Sequence, residues 1–334
     1  MNQEDKKLQK AAITAVGGYV PDTILSNQDL EKMVDTNDAW ITSRTGIKER
    51  RILKDPQKAT SYLAIQTANN LIAKKNLDVA TIDLVIVATI TPDMHVAATA
   101  AYVASTIGAV NAFAYDLNAA CSGFLYGMST AASHISSGRY KKILLIGADK
   151  MSSIVDYTDR ATCIIFGDGG GAILFEPSTN DYGWEDEYFR SNGSDRMALR
   201  IKAGGSLHPT TEDTLAQGFH NIYQDGKVVF KYAVTEMANA AEEIMKRNAL
   251  KGDTIDYLVP HQANKRIVDA TVKRLALNKE KVLMNIERYG NTTAATLPLL
   301  LHDYESKFKI GDKLIFAAFG GGFTWGAAHL TWAY

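Results

Sequence analysis

The chain has 334 residues, with 36 Lys plus Arg against 37 Asp plus Glu, and its formal net charge is -1. The length predicts about two domains, and the hydrophobic content of 46% is ordinary for a globular protein. The near-neutral charge argues against nucleic-acid binding through bulk charge. No stretch approaches the ~18 apolar residues that a membrane-spanning helix needs. We therefore expect a cytoplasmic protein that works without a membrane or nucleic acid.

Short apolar runs alternate with longer amphipathic stretches along the chain. The first run, Ala11 to Val20, ends at Pro21 and predicts a strand rather than a signal peptide, because acidic residues precede it. Further strands are predicted over Leu84 to Ile90, Ala112 to Leu117, Lys142 to Gly147, Gly171 to Phe175, Tyr257 to Pro260, Leu314 to Ala318 and Ala327 to Trp332. Helices are predicted over Ser61 to Lys74, Ala97 to Ile107, Ser122 to Ser136, Val229 to Ala249, Asn264 to Leu275 and Thr293 to Tyr304. This alternation predicts an α/β fold whose sheets are covered on both faces.

An internal repeat indicates two similar halves. The segments Thr81–Val85 and Thr254–Val259 each have a polar lead-in that ends at Asp before an apolar strand. Cys121 lies 40 positions after the start of the first segment, and Asn291 lies 37 positions after the start of the second. A predicted helix follows each of these two residues. The sequence therefore predicts a duplicated βα body in which Asn291 is the counterpart of Cys121.

The boundary between the halves is expected in a polar region near the middle of the chain. The stretch Ser178 to Glu212 contains glycine and has only weak periodicity. We therefore predict an N-terminal half over residues 1–177 and a C-terminal half over residues 178–334. If both halves fold alike, Cys121 and Asn291 face one cleft.

The two cysteines, Cys121 and Cys163, are too few for a disulfide framework and differ in their settings. Small residues lead from an apolar strand to Cys121, and a helix follows. The positive end of a helix dipole favours a thiolate, which is the nucleophile of covalent acyl chemistry. The alternative for Cys121 is a buried packing residue. Cys163 lies in the apolar run Ala161–Phe166 and is predicted to pack.

Two polar residues of the second half stand where sites form. His261 follows the apolar strand Tyr257–Pro260 and precedes a helix, at the sheet edge where ligand-binding groups collect. Asn291 follows Gly290 and also precedes a helix. It is predicted either as a helix cap or as an amide donor to a developing oxyanion.

Two glycine-rich runs need separate interpretations. Gly167–Ala172 fits the letters of a dinucleotide fingerprint, but a strand-like run follows it, which argues against an NAD-dependent oxidoreductase. Gly320–Gly326 lies between strand-like runs, where a free N–H could complete an oxyanion hole. No metal-binding signature appears in the sequence. The basic run Lys48–Arg51 is expected on a solvated face.

Five motifs follow one another along nearly the whole chain. They are Val34–Ile41 with Arg44–Ile47, Asn118–Phe124, Pro260–Asn264, Tyr289–Ala295 and Phe319–Gly326. Together they resemble the β-ketoacyl-acyl-carrier-protein synthase III family. The resemblance implies a thiolase-like α/β fold, with two duplicated halves in a five-layer αβαβα arrangement, working as a homodimer.

The resemblance also implies a reaction, the initiating condensation of type II fatty acid synthesis. Cys121 would take an acyl group from acyl-CoA, and malonyl-acyl-carrier protein would then lose CO₂ and condense with it. His261 and Asn291 would stabilise the enolate, and the N–H groups of Cys121 and Gly321 would form the oxyanion hole. Acyl-CoA is a substrate here, and no metal or other cofactor is implied. The alternatives are a related condensing enzyme of specialised metabolism and a silent paralogue, which the intact triad disfavours.

Binding residues follow from the resemblance by position. The expected CoA contacts are Trp40, Arg44, Arg160, Gly226 and Asn264. The expected carrier-protein contacts are Arg266, Lys273 and Arg274, which share one predicted helix. Phe319 matches a gate residue beside the nucleophile. Val96 matches a residue that reaches the partner subunit's acyl pocket, where its small side chain would leave room for a longer or branched acyl group.

Overall fold

The computed structural model describes residues 9–334. Its strands are β1 (Ala11–Tyr19), β2 (Ile24–Ser26), β3 (Glu49–Arg51), β4 (Leu84–Ala88), β5 (Phe113–Leu117), β6 (Ile143–Asp149), β7 (Gly169–Pro177), β8 (Trp184–Ser191), β9 (Leu199–Ile201), β10 (Ile222–Gln224), β11 (Tyr257–Pro260), β12 (Lys313–Gly320) and β13 (Thr324–Thr331). Its helices are α1 (Asn27–Leu30), α2 (Asp38–Thr45), α3 (Thr60–Lys75), α4 (Thr99–Ile107), α5 (Gly123–Ser136), α6 (Glu212–Ala216), α7 (Gly226–Arg247), α8 (Lys265–Arg274), α9 (Ile286–Tyr289) and α10 (Thr296–Tyr304).

The first large sheet has five strands in the order β1-β7-β6-β4-β5. Strand β4 runs parallel to β5 and β6, whereas β7 runs antiparallel to β6 and β1. Every residue of β4 and β6 is buried. These continuous apolar strands are covered on both faces, as their sequences predict.

The second large sheet repeats this order with four strands, β11-β12-β13-β8. Strands β11 and β12 are parallel, and β13 is antiparallel to both β12 and β8. On the other side of β11, Leu258 forms an isolated parallel bridge with Val282. This bridge takes the position that β5 has beside β4. The second half therefore repeats the first, with its fifth strand reduced to one bridge.

The helices form three layers around the two sheets. Helices α5 and α10 lie between the sheets, where Phe124 and Leu297 share one core with Ile86 of β4 and Phe316 of β12. Helices α3 and α4 cover the outer face of the first sheet, and α7 and α8 cover the outer face of the second. The sequence of layers is helix, sheet, helix, sheet, helix, which confirms the expected five-layer α/β fold.

The turns that precede the two central helices are alike in detail. In the first half, the Asn118 Oδ1 accepts a hydrogen bond from the Ala120 N–H at 3.1 Å. In the second half, the Asn291 Oδ1 accepts one from the Thr293 N–H at 2.9 Å. Ala120 has φ 48° and Thr293 has φ 52°, both in the left-handed region. The two asparagines therefore occupy equivalent positions.

This equivalence corrects the expected pairing of Cys121 with Asn291. The residue that corresponds to Cys121 is Ala294, one position after the left-handed residue of its turn. Ala294 also lies 40 positions after Thr254, the same separation as between Thr81 and Cys121. Cys121, the candidate nucleophile, and Asn291 therefore occupy different positions within two matching turns.

The polar stretch Ser178 to Glu212 contains strand β8, which forms the edge of the second sheet. One further expectation needs correction. Within the basic run, Arg50 is fully buried rather than solvated. Its guanidinium donates to the Asn27 Oδ1 at 2.8 Å and to the Ile164 carbonyl at 2.5 Å.

No helix in residues 9–334 is long and apolar enough to cross a membrane.

Candidate active site

A cavity of about 1080 Å³ opens between the two halves. Cys121, His261 and Asn291 all line it. Other predicted site residues that line it are Trp40, Arg44, Gly226, Asn264, Arg266, Phe319 and Gly321. Because the first half supplies Cys121 and the second supplies His261 and Asn291, the site depends on the packing of both halves.

Cys121 lies in a short 3₁₀ turn, Ala120–Ser122, between β5 and α5, as its sequence setting predicts. The Ser122 hydroxyl donates to the Thr324 carbonyl at 3.0 Å, which fixes this turn against the second sheet. Gly320 comes so close that a Cβ added to it would lie 2.7 Å from the Cys121 backbone nitrogen. A side chain at residue 320 would therefore displace the turn. The glycine-rich run Gly320–Gly326 predicts a close approach of the backbone here, but the sequence does not distinguish Gly320 from the other glycines of the run.

The ionisation of Cys121 differs from the sequence-based expectation. The residue is 7% exposed. Burial raises the pKa of its thiol to about 12, and the nearby Asp149 carboxylate adds to the rise. Desolvation of a charged sulfur therefore opposes the thiolate that the helix N-terminus favours. With its pKa at this value, Cys121 is mainly a neutral thiol near pH 7.

His261 is held at the end of β11 with one ring nitrogen bonded and the other open. Its backbone N–H donates to the Ala317 carbonyl at 2.8 Å, and its Nδ1 lies 2.7 Å from the Thr296 Oγ1. The buried Nε2 makes no hydrogen bond within residues 9–334. Burial lowers the pKa of His261 to about 3, so the ring is neutral at physiological pH.

Asn291 is 5% exposed and is held through both its backbone and its side chain. Its N–H donates to the Ile165 carbonyl at 2.9 Å, and its carbonyl accepts from the Gly167 N–H at 3.1 Å. Because the Oδ1 caps the Thr293 N–H, the side-chain NH₂ remains to donate into the cavity. The sequence predicts Asn291 either as a helix cap or as an amide donor, and this geometry allows both roles.

An aromatic ring with two guanidinium groups stands at one end of the site. The carbon at the centre of the Arg160 guanidinium lies 5.0 Å from the Trp40 ring centroid, and that of Arg44 lies 5.9 Å from it. Arg160 also donates to the Asp35 carbonyl at 2.8 Å. Arg44 and Trp40 line the cavity, whereas Arg160 contacts the ring without lining the cavity. A flat, cationic surface of this kind suits an aromatic ligand that carries phosphate groups.

The beginnings of helices α7 and α8 supply further lining. Gly226 opens α7 directly after its cap Asp225, and Asn264 caps α8 through a 2.9 Å bond from the Arg266 N–H. The Arg266 guanidinium carbon lies 4.8 Å from the Phe230 ring centroid. These residues place backbone, amide and guanidinium groups along the same wall of the cavity.

Three predicted residues lie away from the cavity. Lys273 and Arg274 are exposed in the last turn of α8, and Arg274 pairs with Glu242 at 2.7 Å. Val96 is fully exposed and has φ 76°. The Val96 side chain therefore does not line the cavity of its own chain.

Sequence reasoning missed three residues at the site. Arg200 on β9 and Tyr223 on β10 are paired across a two-stranded sheet and line the cavity, with the guanidinium 4.2 Å from the ring centroid. Asp149 is fully buried and accepts hydrogen bonds from groups on both halves. An acid that ends an apolar strand gave no sequence signal for this role. Within residues 9–334, no group of three or more His, Cys, Asp or Glu side chains is arranged to hold a metal ion.

Comparison with solved structures gives the class of protein. The 3-oxoacyl-[acyl-carrier-protein] synthase III from Aquifex aeolicus matches with a TM-score of 0.88 and 40% identity, covering 96% of this chain and 100% of that chain. The synthase III from Thermus thermophilus matches with a TM-score of 0.89 and 38% identity, covering 96% and 99%. These matches confirm the thiolase-like fold implied by the motifs.

Comparison with sequences gives the family. The model for 3-oxoacyl-[acyl-carrier-protein (ACP)] synthase III matches residues 115–193, and the model for its C-terminal part matches residues 245–332. A β-ketoacyl-[acyl-carrier-protein] synthase III from Chlorobium chlorochromatii is 55% identical over 327 residues, which are 97% of this chain and 99% of the relative. One from Bacteroides thetaiotaomicron is 54% identical over 97% of each chain. The chain belongs to the β-ketoacyl-acyl-carrier-protein synthase III family of condensing acyltransferases.

Proposed function

We propose that this chain is the initiating condensing enzyme of type II fatty acid synthesis. It would join the acyl group of an acyl-CoA to malonyl-acyl-carrier protein, giving 3-oxoacyl-acyl-carrier protein, CO₂ and CoA. The observation that supports this most directly is the meeting of Cys121, His261 and Asn291 in one cavity. A thiol, a neutral imidazole and an amide are the groups that acyl transfer followed by decarboxylation requires.

In the first half-reaction, the Cys121 sulfur attacks the thioester carbon of acyl-CoA. Backbone N–H groups of Cys121 and Gly321 are proposed to hold the oxygen as it becomes negative. The C–S bond to CoA then breaks, and CoA leaves as a thiol that carries the proton lost by Cys121. Because Cys121 starts as a neutral thiol, this proton must move while the acyl group transfers. His261 lines the same cavity, and its Nε2, which has no hydrogen-bond partner within residues 9–334, is proposed to accept this proton in the tautomer that leaves Nε2 unprotonated.

In the second half-reaction, the carboxylate of the malonyl thioester leaves as CO₂. The electron pair of the broken C–C bond forms an enolate, whose oxygen His261 and Asn291 are proposed to stabilise. Asn291 would donate through its NH₂, and the neutral His261 would donate through Nε2 in the tautomer that carries the proton there, so neither group adds a net charge to the buried site. The enolate carbon then attacks the acyl-Cys121 thioester, and the released sulfur takes up a proton. No bond change in this scheme calls for a metal ion or redox cofactor.

The binding assignments are those that the resemblance implies, and they are supported by the residues among them that line the cavity. Trp40 is proposed to stack on the CoA adenine, with Arg44 and Arg160 near its phosphates. Gly226 and Asn264 would then contact the pantetheine arm on the way to Cys121, and Phe319, which is 4% exposed, would act as the gate beside it. Arg266, at the cavity wall, is proposed to dock the acidic carrier protein together with Lys273 and Arg274.

The proposed working form is a cytoplasmic homodimer built from two duplicated halves, residues 1–177 and 178–334, that acts without a membrane or nucleic acid. A reducing compartment suits the free thiol of Cys121. The exposed Val96 would reach the acyl pocket of the other subunit. The alternative function is condensation of other acyl thioesters in specialised metabolism. A panel of acetyl, branched and medium-chain CoAs assayed with malonyl-carrier protein distinguishes the two.

Mass spectrometry tests the nucleophile directly. Incubation with acyl-CoA should add one acyl mass to the wild type and to Cys163→Ala, because Cys163 packs in an apolar cluster. Cys121→Ala should gain none. Labelling that persists in Cys121→Ala would remove Cys121 from this role.

Separate assays of decarboxylation test the other two residues. His261→Ala and Asn291→Ala should still form the acyl-enzyme but should fail to release CO₂ from malonyl-carrier protein. If His261→Ala also slows formation of the acyl-enzyme and Asn291→Ala does not, His261 would in addition accept the proton that Cys121 loses. Normal decarboxylation by both variants would contradict the proposed enolate site.

A further inference from the structure

Among residues 9–334, the Nδ1 of His261 has one hydrogen-bond partner, the hydroxyl of Thr296. The Nδ1 to Oγ1 distance is 2.7 Å, and both residues are almost fully buried. With Nδ1 occupied, Nε2 is the ring nitrogen that a ligand in the cavity can meet. A hydroxyl can donate or accept, so Thr296 can support either neutral tautomer of the ring.

Thr296 is itself held by the turn that precedes its helix. It is the first residue of α10, and its Oγ1 lies 3.0 Å from the Thr293 carbonyl, to which it can donate. The backbone N–H of Thr296 bonds the same carbonyl. The hydroxyl therefore sits at a fixed point beside the imidazole.

Thr293 connects this point to the rest of the site. Its N–H donates to the Asn291 Oδ1, and its hydroxyl donates to the buried Asp149 carboxylate. On the side of the first half, the same carboxylate accepts from the Thr89 hydroxyl at 2.8 Å and the Thr91 N–H at 3.1 Å. One turn thus fixes the Asn291 side chain and, through Thr296, the His261 ring, and it is tied to both halves of the molecule.

We propose that Thr296 is a positioning residue for His261, holding Nδ1 so that Nε2 stays directed into the cavity that Asn291 also lines. This inference rests on the proposed role of His261 in stabilising the enolate. Stabilisation of a developing oxyanion depends on groups that are already in place, since a ring that must reorient loses part of the benefit. A group that bonds the other nitrogen of a working histidine fixes its tautomer and the orientation of its ring.

Thr296→Val tests the proposal by replacing the hydroxyl with a methyl group of similar shape. By analogy with other residues that orient a working histidine, kcat for malonyl-carrier-protein decarboxylation should fall about 10- to 100-fold. KM for malonyl-carrier protein should stay nearly unchanged, because Thr296 does not line the cavity. Thr296→Ser keeps the hydroxyl and should recover most of the rate, whereas a packing role would leave it impaired.

Thr271→Val is the matched control. Thr271 is equally buried, but within the described part of the chain its hydroxyl bonds only the Ile267 carbonyl of its own helix, at 3.1 Å. This variant should decarboxylate like the wild type. The same change at two buried threonines thus separates loss of the His261 contact from loss of a buried hydroxyl in general.

The ¹⁵N NMR shifts of the His261 ring give a readout that does not depend on activity. They are assigned by their absence from His261→Ala, and they should move in Thr296→Val and stay in Thr271→Val. Unmoved shifts in Thr296→Val, or a Thr296→Ser enzyme as slow as Thr296→Val, would overturn the positioning role. Moved shifts with an unchanged decarboxylation rate would uphold the positioning of the ring and refute the proposed enolate role of His261.

Discussion

At the scale of single residues, burial keeps both titratable groups of the triad uncharged. The pKa of Cys121 is raised and that of His261 is lowered, and desolvation is the largest cause of both shifts. A thiolate–imidazolium pair is therefore not the resting state of this site. Charge would appear only during the reaction, close to the backbone N–H groups and the Asn291 amide that can stabilise it.

Alkylation of Cys121 by iodoacetamide should report its raised pKa. Only the thiolate reacts, and its fraction rises about tenfold per pH unit while the pH is below the pKa. In a Cys163→Ala background, the rate measured by mass spectrometry should therefore keep rising from pH 7 to pH 10. A plateau near pH 7 would indicate instead that the helix N-terminus outweighs burial, as the sequence setting suggested.

The residues that sequence reasoning found and missed differ in a physical way. Cys121 and Asn291 stand beside small residues and helix starts, and such local signals survive in the sequence. Asp149 follows an apolar strand, and its partners lie 58 to 145 positions away in the chain. Thr296 looks like any polar residue at a helix start. Only the packing of the two halves brings them to the site.

At the scale of elements, the sequence of strand β4 carries a local signal that predicts it, whereas that of strand β8 does not. Strand β4 is continuously apolar because both of its faces are buried, so its sequence predicts it. Strand β8 is a sheet edge whose residues are half-buried or exposed, and it contains Trp184 followed by three acidic residues. Its strand geometry is imposed by pairing with β13, which is distant in the sequence. Edge strands of this kind leave no continuous apolar run to detect.

The basic residues of helix α8 differ in their surroundings, and this difference makes the docking proposal testable. Arg266 reaches the cavity wall, whereas Arg274 is already paired with Glu242. Arg266→Glu should therefore raise KM for malonyl-carrier protein by about tenfold, equivalent to about 1.4 kcal/mol. Acylation by acyl-CoA, measured by mass spectrometry, should change little.

Lys309→Glu makes the same charge change at an exposed lysine that does not line the cavity, and it serves as the control. The Arg266→Glu effect should weaken at high salt, since screening reduces attraction between exposed charges. Equal losses with acyl-CoA and carrier protein would assign Arg266 to general access to the cavity rather than to docking.

At the scale of the whole molecule, duplication accounts for a site that neither half contains alone. The matching turns at Asn118 and Asn291 have the same backbone, but one leads to Cys121 and the other to Ala294. The halves have thus diverged in side chains while keeping their geometry. Asp149 accepts from the Ile90 N–H of the first half and the Ala294 N–H of the second, so one buried carboxylate ties the turn of Asn291 to the first half.

The edge of the first sheet provides the test of the proposed homodimer. The outer edge of β5 has no strand partner within residues 9–334, and Phe113 and Val110 beside it are exposed. An uncovered edge with apolar side chains favours pairing with another chain, and Lys on the edge opposes it. Phe113→Lys and Val110→Lys should therefore lower the mass seen by sedimentation velocity from that of a dimer toward 36.5 kDa.

Leu207→Lys, at an equally exposed leucine on a distant loop, should leave the mass unchanged. Because Val96 of one subunit is proposed to complete the acyl pocket of the other, the dissociated variants should also lose acylation activity while keeping their folded circular dichroism. A wild-type protein that sediments as a monomer at micromolar concentration, yet acylates Cys121 normally, would show that one chain is sufficient and that Val96 has no role across subunits.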